Sequence, residues 1–419
     1  MGGMGGRTLA MLGLTALLVA CGPGPVVRHG VLDTQVLDTI ERGLVRVRGL
    51  EFTAPVPGRI LDDAAVARLL DDELAEEFRP GDLERLAAVY ARLGLLPAGT
   101  DLHRVFEELY ADQLAALYDP RTKTLALTAN GLNQRQPFAL RMVSFFSGRD
   151  LLGEVLVAHE LTHALQDQHF GLPTTSPPIT DAQGDRIVAR RALLEGDASL
   201  ASVAYLRGGP LDRDTVQRFS EETASIPEEL AVRHPDVPDV IRTGLAFQYH
   251  QGSVFAATAY LRGGFAAVDV AQRDPPTSTE QVLHPTKYFD VRDRPVAVTL
   301  GGTEELERRG WTRTLEDTLG ELDVLVLARQ TLPPDAAARI AGGWGGDRLR
   351  ALARGDELAI VWLTAWDSVE DAIEFADAAP GLVAGARVER RAERVLLVVA
   401  PDADALAARV WRQSRVSAG

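Results

Sequence analysis

The chain has 419 residues, of which 46% are hydrophobic and 25% are charged. These values are average for a soluble globular protein and exclude a disordered, collagen-like or multi-span membrane protein. The formal net charge of −15 argues against a nucleic-acid partner, because an acidic protein repels phosphate. Cys21 is the only cysteine, so neither an intrachain disulfide nor a cysteine-based zinc site is expected.

Residues 1–20 have the pattern of a bacterial lipoprotein signal peptide. The apolar stretch Thr8–Ala20 follows Arg7 and is shorter than the roughly 20 residues that span a membrane. It ends in Leu-Val-Ala-Cys-Gly, which resembles a lipobox, the signal in which the cysteine is lipidated. We therefore expect Cys21 to anchor the protein on the extracytoplasmic side of a membrane, either the outer membrane or the cell surface. The alternative is a plain secretory signal with an incidental cysteine.

The next part of the chain alternates helical and extended patterns. Residues 21–60 predict a tether and a first element, and the apolar spacing in residues 61–117 predicts helices. Leu114–Tyr118 and Thr124–Thr128 flank turn residues, so they predict a β-hairpin.

Two long helices are predicted over Leu151–His169 and Asp185–Leu206, and a shorter helix over Tyr249–Leu261. The proline-bearing stretch Pro227–Pro238 predicts loops. Ser278 and Gln281 have the spacing of a capping box at the start of a further helix.

From about residue 296 the composition changes, and residues 296–419 predict a small α+β domain. Its expected elements are a loop at Gly343–Gly346, a buried strand at Leu358–Leu363, a helix from Asp367-Ser368 to about Ala378, two strands in Arg387–Ala400 and a last helix over Asp402–Arg412.

His159-Glu160-Leu161-Thr162-His163 forms an HExxH motif inside the first long helix. Residues four apart on an α-helix differ by about 400° and about 6 Å, so both imidazoles project from one face. They could therefore bind one zinc ion, and Glu160 beside them could accept a proton from the attacking water. The alternative is a helix with two incidental histidines.

A catalytic zinc site needs a third protein ligand and an open position. Glu195 is the preferred candidate, since an acid on a partly apolar helix must be exposed, paired or bound to a metal. His169 is the second candidate, because it follows His159 by ten residues, as the third histidine of metzincins does. Those proteins need a glycine where this chain has Gln166, and a continuing helix would carry His169 about 9 Å beyond His163.

HExxH followed by a second helix that contains Glu195-Gly196 resembles the gluzincin metallopeptidases. The resemblance covers about residues 100–295 and implies a zincin-like fold. It also implies that His159, His163 and Glu195 bind zinc and that Glu160 is the catalytic base. Thermolysin-like members carry an aspartate four residues after the glutamate, where this chain has Ser199 with Asp197 nearby; these two residues are the candidate partners of the metal ligands.

The same resemblance supplies two candidates that would stabilise the oxyanion. Tyr249, in a Tyr-x-x-Gly segment, corresponds to the tyrosine of zinc aminopeptidase-type gluzincins, and His284 to the histidine of thermolysin-like enzymes. The alternative for each is a structural polar residue. Thr124–Thr128 occupies the place in chain order of the edge strand that pairs with the substrate backbone, although an ordinary hairpin is equally compatible with it.

The sequence thus predicts an α+β protein: a mainly helical, zincin-like metallopeptidase region with a small edge β-hairpin over residues 61–295, and the C-terminal α+β domain. The expected function is Zn²⁺-dependent hydrolysis of a peptide or protein substrate in the cell envelope. One alternative is a non-catalytic envelope lipoprotein whose structural or degenerate zinc site binds a protein partner. Another is a precursor in which the helices before residue 115 are an inhibitory pro-segment.

Overall fold

A computed structural model describes residues 24–28, 30–113, 115–128 and 150–417. The predicted signal peptide and Cys21 lie outside these residues. Helices and several small sheets make up the described chain, so the predicted α+β class is confirmed.

The elements follow one another with short connections. Up to residue 128 they are β1 (Val27–Arg28), β2 (Val31–Leu32), α1 (Thr34–Arg48), β3 (Gly58–Leu61), α2 (Asp63–Glu77), α3 (Asp82–Leu93), α4 (Leu102–Gln113), β4 (Ala116–Asp119) and β5 (Thr124–Thr128). From residue 150 to 290 they are α5 (Leu151–Phe170), α6 (Gly184–Arg207), α7 (Arg213–Glu222), a 3₁₀ turn (Thr223–Ser225), α8 (Ile226–Arg233), α9 (Asp239–Arg273), α10 (Thr279–Leu283) and α11 (Pro285–Phe289). The last are β6 (Ala297–Thr299), α12 (Glu304–Arg308), β7 (Thr312–Asp317), α13 (Gly320–Arg329), α14 (Pro334–Ala341), β8 (Trp344–Arg354), β9 (Glu357–Trp366), α15 (Val369–Leu382), β10 (Arg387–Arg391), β11 (Arg394–Val399), α16 (Ala403–Gln413) and β12 (Arg415–Ser417).

The chain divides into two compact units that differ from the predicted domains. The first unit comprises the described parts of Met1–Ala67, Asp112–Leu172 and Ala201–Pro210. The second comprises Arg68–Ala111, Pro173–Leu200 and the described part of Leu211–Gly419. Each unit is discontinuous in sequence, and α6 contributes its first turns to the second unit and its last turns to the first.

The first unit contains α1, α5 and a three-stranded sheet in the order β3-β5-β4. β5 pairs in parallel with β3 and antiparallel with β4. The predicted hairpin is therefore present, but the expectation that Thr124–Thr128 is an edge strand is wrong, because this strand lies in the middle of the sheet. The outer strand of the hairpin is β4.

The second unit is organised around a five-stranded antiparallel sheet in the order β10-β11-β9-β8-β7. Alternate residues of β9 pack into different cores: Ile360 and Trp362 contact the one formed with α3, α13, α14 and α15, whereas Val361 and Leu363 contact the one formed with α16. Because both faces are covered, the strand is apolar without interruption, which explains why the sequence identified it.

The core of the second unit also includes residues from the N-terminal third of the chain. Leu83, Val89, Leu93 and Leu96, on and after α3, are buried with residues of the C-terminal sheet. These helices therefore form part of the folded core of this unit, which argues against their role as a removable pro-segment.

The structure corrects two further predictions. The stretch around Pro227 is helical rather than looped, because Pro227 lies in the first turn of α8 and Pro238 caps α9, positions where a missing N–H is tolerated. Gly343–Gly346 is not a loop throughout: β8 begins at Trp344 and continues through a β-bulge to Gly346.

α9 is longer than its predicted segment and is interrupted at Gly263 and Gly264, whose backbone angles are not helical. Among the described residues it is the one helix whose length and hydropathy would suit a membrane span. Phe247, Phe255 and Ala271 on this helix are buried in a core of the second unit, so its apolar character has an explanation in packing.

Candidate metal centre

α5 presents the HExxH motif on a well-anchored helix. The Asp150 carboxylate caps its N-terminus by accepting a hydrogen bond from Gly153 N at 3.1 Å. Val157, Leu161 and Leu165 are fully or almost fully buried, so the apolar positions of the helix fix its rotation. The polar residues of the motif then project together from the remaining face.

The two histidines are arranged as ligands of a common ion would be. His159 Nε2 and His163 Nε2 lie 3.2 Å apart, and the two rings meet edge-on. Two zinc–nitrogen bonds of ordinary length at a tetrahedral angle separate their nitrogens by about 3.3 Å. No adjustment of either side chain is needed for both nitrogens to bind one zinc ion.

Gln166 determines which nitrogen of His163 is available. Its Oε1 lies 2.8 Å from His163 Nδ1, and the Gln166 side chain is fully buried. An amide oxygen only accepts hydrogen bonds, so Nδ1 must carry the proton and Nε2 keeps its lone pair. A ligand histidine is commonly oriented by such a partner.

Glu195 projects from α6, which runs antiparallel to α5. Ser202 Oγ lies 3.5 Å from Val155 O, and Tyr205 OH donates to the buried Glu154 carboxylate at 3.0 Å. Two turns back from Ser202 along α6 lies Glu195, at the level two turns forward from Val155 on α5.

One ligand atom each from His159, His163 and Glu195 lies within 4.8 Å of the other two. Each of the three residues is partly exposed, which suits a site that a substrate must reach. Two imidazoles and one carboxylate are a donor set that zinc takes in catalytic sites.

Glu160 is held by the outer strand of the small sheet. Tyr118 N on β4 donates to Glu160 Oε2 at 2.7 Å, and the Glu160 side chain is almost fully buried. A backbone N–H directed at a carboxylate favours its charged form, the form that accepts a proton.

The hairpin is attached to α5 at a second point. Tyr118 OH and Lys123 Nζ both donate to Asp167 Oδ2, at 2.7 and 2.6 Å. Burial raises the pKa of Asp167, but these donors outweigh it and the pKa lies below its usual value. Burial and the bond to Asp167 raise the pKa of the Tyr118 phenol, so Tyr118 remains a donor at physiological pH.

His169 has a different role from that of a metal ligand. Its Nε2 lies 2.7 Å from Glu51 O at the last turn of α5. The adjacent Gln168 accepts a hydrogen bond from Thr53 N at 2.6 Å. Both residues fasten the segment after α1 to the end of the helix.

The glycines of the two family-like segments serve helix packing. A Cβ on Gly196 would collide with the carbonyl oxygen of Gly252, and one on Gly252 would collide with that of Ala192. α6 and α9 therefore cross in backbone contact at these glycines. Tyr249 lies on α9 one turn before this crossing, and Glu195 adjoins it on α6.

The remaining predicted site residues have these surroundings. Asp197 is fully buried and accepts a hydrogen bond from Gln272 Nε2 at 3.0 Å. Ser199 is half-buried and makes no hydrogen bond of its side chain within the described part of the chain. His284 Nε2 lies 2.8 Å from Glu321 Oε1, which raises the pKa of His284 despite its partial burial; one ring nitrogen is thus already occupied.

A second group of metal-type ligand atoms, from Glu280, Asp293 and Asp367, surrounds a cation that the chain itself supplies. Lys287 Nζ contacts Asp367 Oδ2 at 2.9 Å and Asp293 Oδ2 at 3.3 Å, and it also contacts Glu280. The group is therefore an ion-pair network centred on lysine.

Two functional contacts escaped the sequence analysis. Gln166 could have been found, because it lies one helical turn after His163 on the same face. The contact of Tyr118 N with Glu160 has no sequence signal, since any residue but proline supplies a backbone N–H.

Comparison with known proteins identifies a family for part of the second unit alone. Residues 307–415 match a family model described as "Domain of unknown function (DUF8575)". The match covers all five strands of the large sheet and contains none of the proposed zinc ligands. No curated protein and no solved structure matches the chain.

Proposed function

We propose that this protein is a zinc-dependent metallopeptidase of gluzincin type. The observation that carries the proposal is the grouping of His159, His163 and Glu195 ligand atoms within 4.8 Å. Antiparallel packing of α5 and α6 beside a small sheet supports the zincin-like fold. Zinc bound by three protein ligands with one open position lowers the pKa of a water molecule to about 7 and polarises a carbonyl.

Glu160 is the proposed general base and acid. Its carboxylate takes a proton from the attacking water and then passes it to the leaving amine nitrogen. The 2.7 Å bond from Tyr118 N fixes one carboxylate oxygen, and the other oxygen is the proposed proton acceptor.

Tyr249 is the proposed donor to the oxyanion, and β4 is the proposed strand that pairs with the substrate. His284 is the weaker candidate, because Glu321 occupies one of its ring nitrogens. β4 is favoured over the predicted β5, because β5 is paired on both sides in the described sheet and has no free edge for a peptide.

The proposed substrate is a peptide or protein outside the cytoplasm. This follows from the expected lipidation of Cys21, which would hold the catalytic region at the outer membrane or cell surface. The anchor also explains why a signal peptide precedes a folded region that has its own cores.

Substitution Glu160→Gln separates metal binding from catalysis. Zinc content of the mature protein should remain one ion per chain, whereas hydrolysis of a peptide library should fall about 10²- to 10⁴-fold. Glu228→Gln, on the exposed surface of α8, is the matched control and should retain full activity.

Two results would overturn the proposal. Full activity of Glu160→Gln would remove its assigned role. A parent protein that binds zinc tightly and cleaves no peptide in the library would favour the non-catalytic envelope lipoprotein, whose metal site binds a partner.

A further inference from the structure

A cavity of about 280 Å³ lies in the second unit, at the start of α6. Three arginines line it, Arg186, Arg294 and Arg348, together with Asp185, Asp347 and Thr277. This volume is close to the lower end of the range for small-molecule sites. All of the lining residues belong to the second unit.

The three arginines have no carboxylate partner. Arg186 and Arg294 make no hydrogen bond or ion pair within the described ranges. Arg348 donates only to two neutral carbonyl oxygens, Val298 O and Ala182 O, each at 3.2 Å. In a chain of net charge −15, three such arginines at one cavity are a local positive charge that the rest of the protein does not neutralise.

The two acids of the lining are bonded away from the cavity. The Asp347 carboxylate accepts hydrogen bonds from Leu319 N, Gly320 N and the indoles of Trp344 and Trp362. Burial raises its pKa despite these donors, which reduces its negative charge. The acid therefore offsets little of the charge of the arginines.

Asp185 is held in the same way by the segment that follows α9. Its Oδ1 accepts from Thr279 N at 3.0 Å and from Thr279 Oγ1 at 2.6 Å. Gly320 closes over this carboxylate with a positive φ of 77°, and a Cβ there would collide with Asp185. The wall of the cavity is thus fixed by buried hydrogen bonds before any ligand arrives.

We propose that this cavity binds a small molecule that carries a multivalent oxyanion, a phosphate or a pair of carboxylates, through Arg186, Arg294 and Arg348. Guanidinium groups bind both kinds of oxyanion with paired hydrogen bonds. The site is independent of the proposed zinc centre, because no ligand of that centre lines it.

Isothermal titration of the mature protein with inorganic phosphate and, separately, with citrate tests the proposal. At low ionic strength at least one of them should bind saturably, with a Kd in the millimolar range or below, and binding should weaken as NaCl rises. Phosphate alone identifies a phosphate-bearing ligand, and citrate alone a carboxylate-bearing one. Treatment with EDTA should not change the result.

Arg294→Gln and Arg186→Gln should each weaken binding about tenfold or more, and the double variant should abolish it. Thermal stability should be unchanged, because neither side chain has a partner to lose. Arg415→Gln is the matched control, since the Arg415 side chain is exposed, makes no ion pair in the described chain and lies outside the cavity. Absence of saturable binding by both anions, or equal affinity in the parent and the double variant, would overturn the proposal.

Discussion

In the first unit the acids beside the HExxH motif receive hydrogen bonds from well-placed donors, whereas in the second unit several acids are buried with their pKa raised. Asp167 illustrates the first case: Lys123 and Tyr118 bring its pKa below the usual value in spite of burial. Asp317 and Asp323 illustrate the second, since burial raises the pKa of each to about 7. The same residue type thus remains a charge in one unit and becomes a largely neutral structural group in the other.

This difference shows what distinguishes a candidate site from a structural cluster of acids. Asp323 is buried with Tyr90 as its donor, and Asp347 with backbone and indole donors, so their hydrogen-bonding capacity is used within the fold. Glu195 lies partly exposed beside two imidazoles. A partly exposed carboxylate next to imidazoles is placed to bind a cation, and a buried, saturated one is not.

The strongest test of this comparison is Glu195→Ala. If Glu195 binds zinc, its removal should lower zinc affinity by more than the roughly 10–100-fold that partners of ligands contribute. Competition with a chromophoric chelator measures the change. His169→Ala is the matched control and should leave affinity unchanged. Unaltered zinc binding by Glu195→Ala would mean that this acid is structural, like those of the second unit.

Gln166→Leu sharpens the comparison by removing one donor–acceptor contact and no ligand. Loss of the acceptor for His163 Nδ1 should weaken zinc binding about 10–100-fold. Gln166→Glu keeps an acceptor oxygen and should retain affinity to within about tenfold. If Gln166 only fills space, the leucine variant would bind zinc as tightly as the parent, and this outcome would contradict its positioning role.

Gly252→Ala tests the helix crossing that carries Glu195. The added methyl group would collide with Ala192 O, so we expect unfolding free energy to fall by about 1–3 kcal/mol. Gly244→Ala on the same helix has no heavy atom within 4 Å of the new Cβ and should be neutral or slightly stabilising. Equal stability of the two variants in urea unfolding would show that the crossing is loose.

Local periodicity predicted the elements better than it predicted their partners. The predicted helix over Leu151–His169 is α5, and Asp185–Leu206 is α6 within one residue at each end. Glu195 could be proposed because family resemblance linked two helices that are distant in sequence. Antiparallel packing of the helices is a tertiary fact that no local pattern contains.

The errors have physical causes of the same kind. Thr124–Thr128 was predicted as an edge strand because its parallel partner, Gly58–Leu61, is far away in sequence. The predicted domain boundary near residue 296 followed a change in composition, but the apolar spacing of α3 does not indicate which sheet that helix will cover. Val89 and Leu93 on α3 are buried against the C-terminal sheet. Long-range pairing decided both outcomes.

The smallest expected effect concerns the pH dependence of stability in the second unit. The pKa of Asp323 is about 7 in the folded protein and about 3.9 in an unfolded chain. Between these values the folded state holds a proton that the unfolded state releases, so stability falls as pH rises through this range and stays low above it. The melting temperature of the parent should therefore be a few degrees lower at pH 8 than at pH 5.

Asp323→Asn keeps an acceptor for Tyr90 OH, which donates to Asp323 at 2.9 Å, but does not titrate. The decline between pH 5 and 8 should become shallower without vanishing, because Asp317 also has a pKa of about 7 in this unit. Asp335→Asn, on the exposed surface of α14, should leave the slope as it is. A melting temperature that rises with pH, or an identical slope in the parent and Asp323→Asn, would show that the buried acids of the second unit stay charged, and the contrast with Asp167 would then be lost.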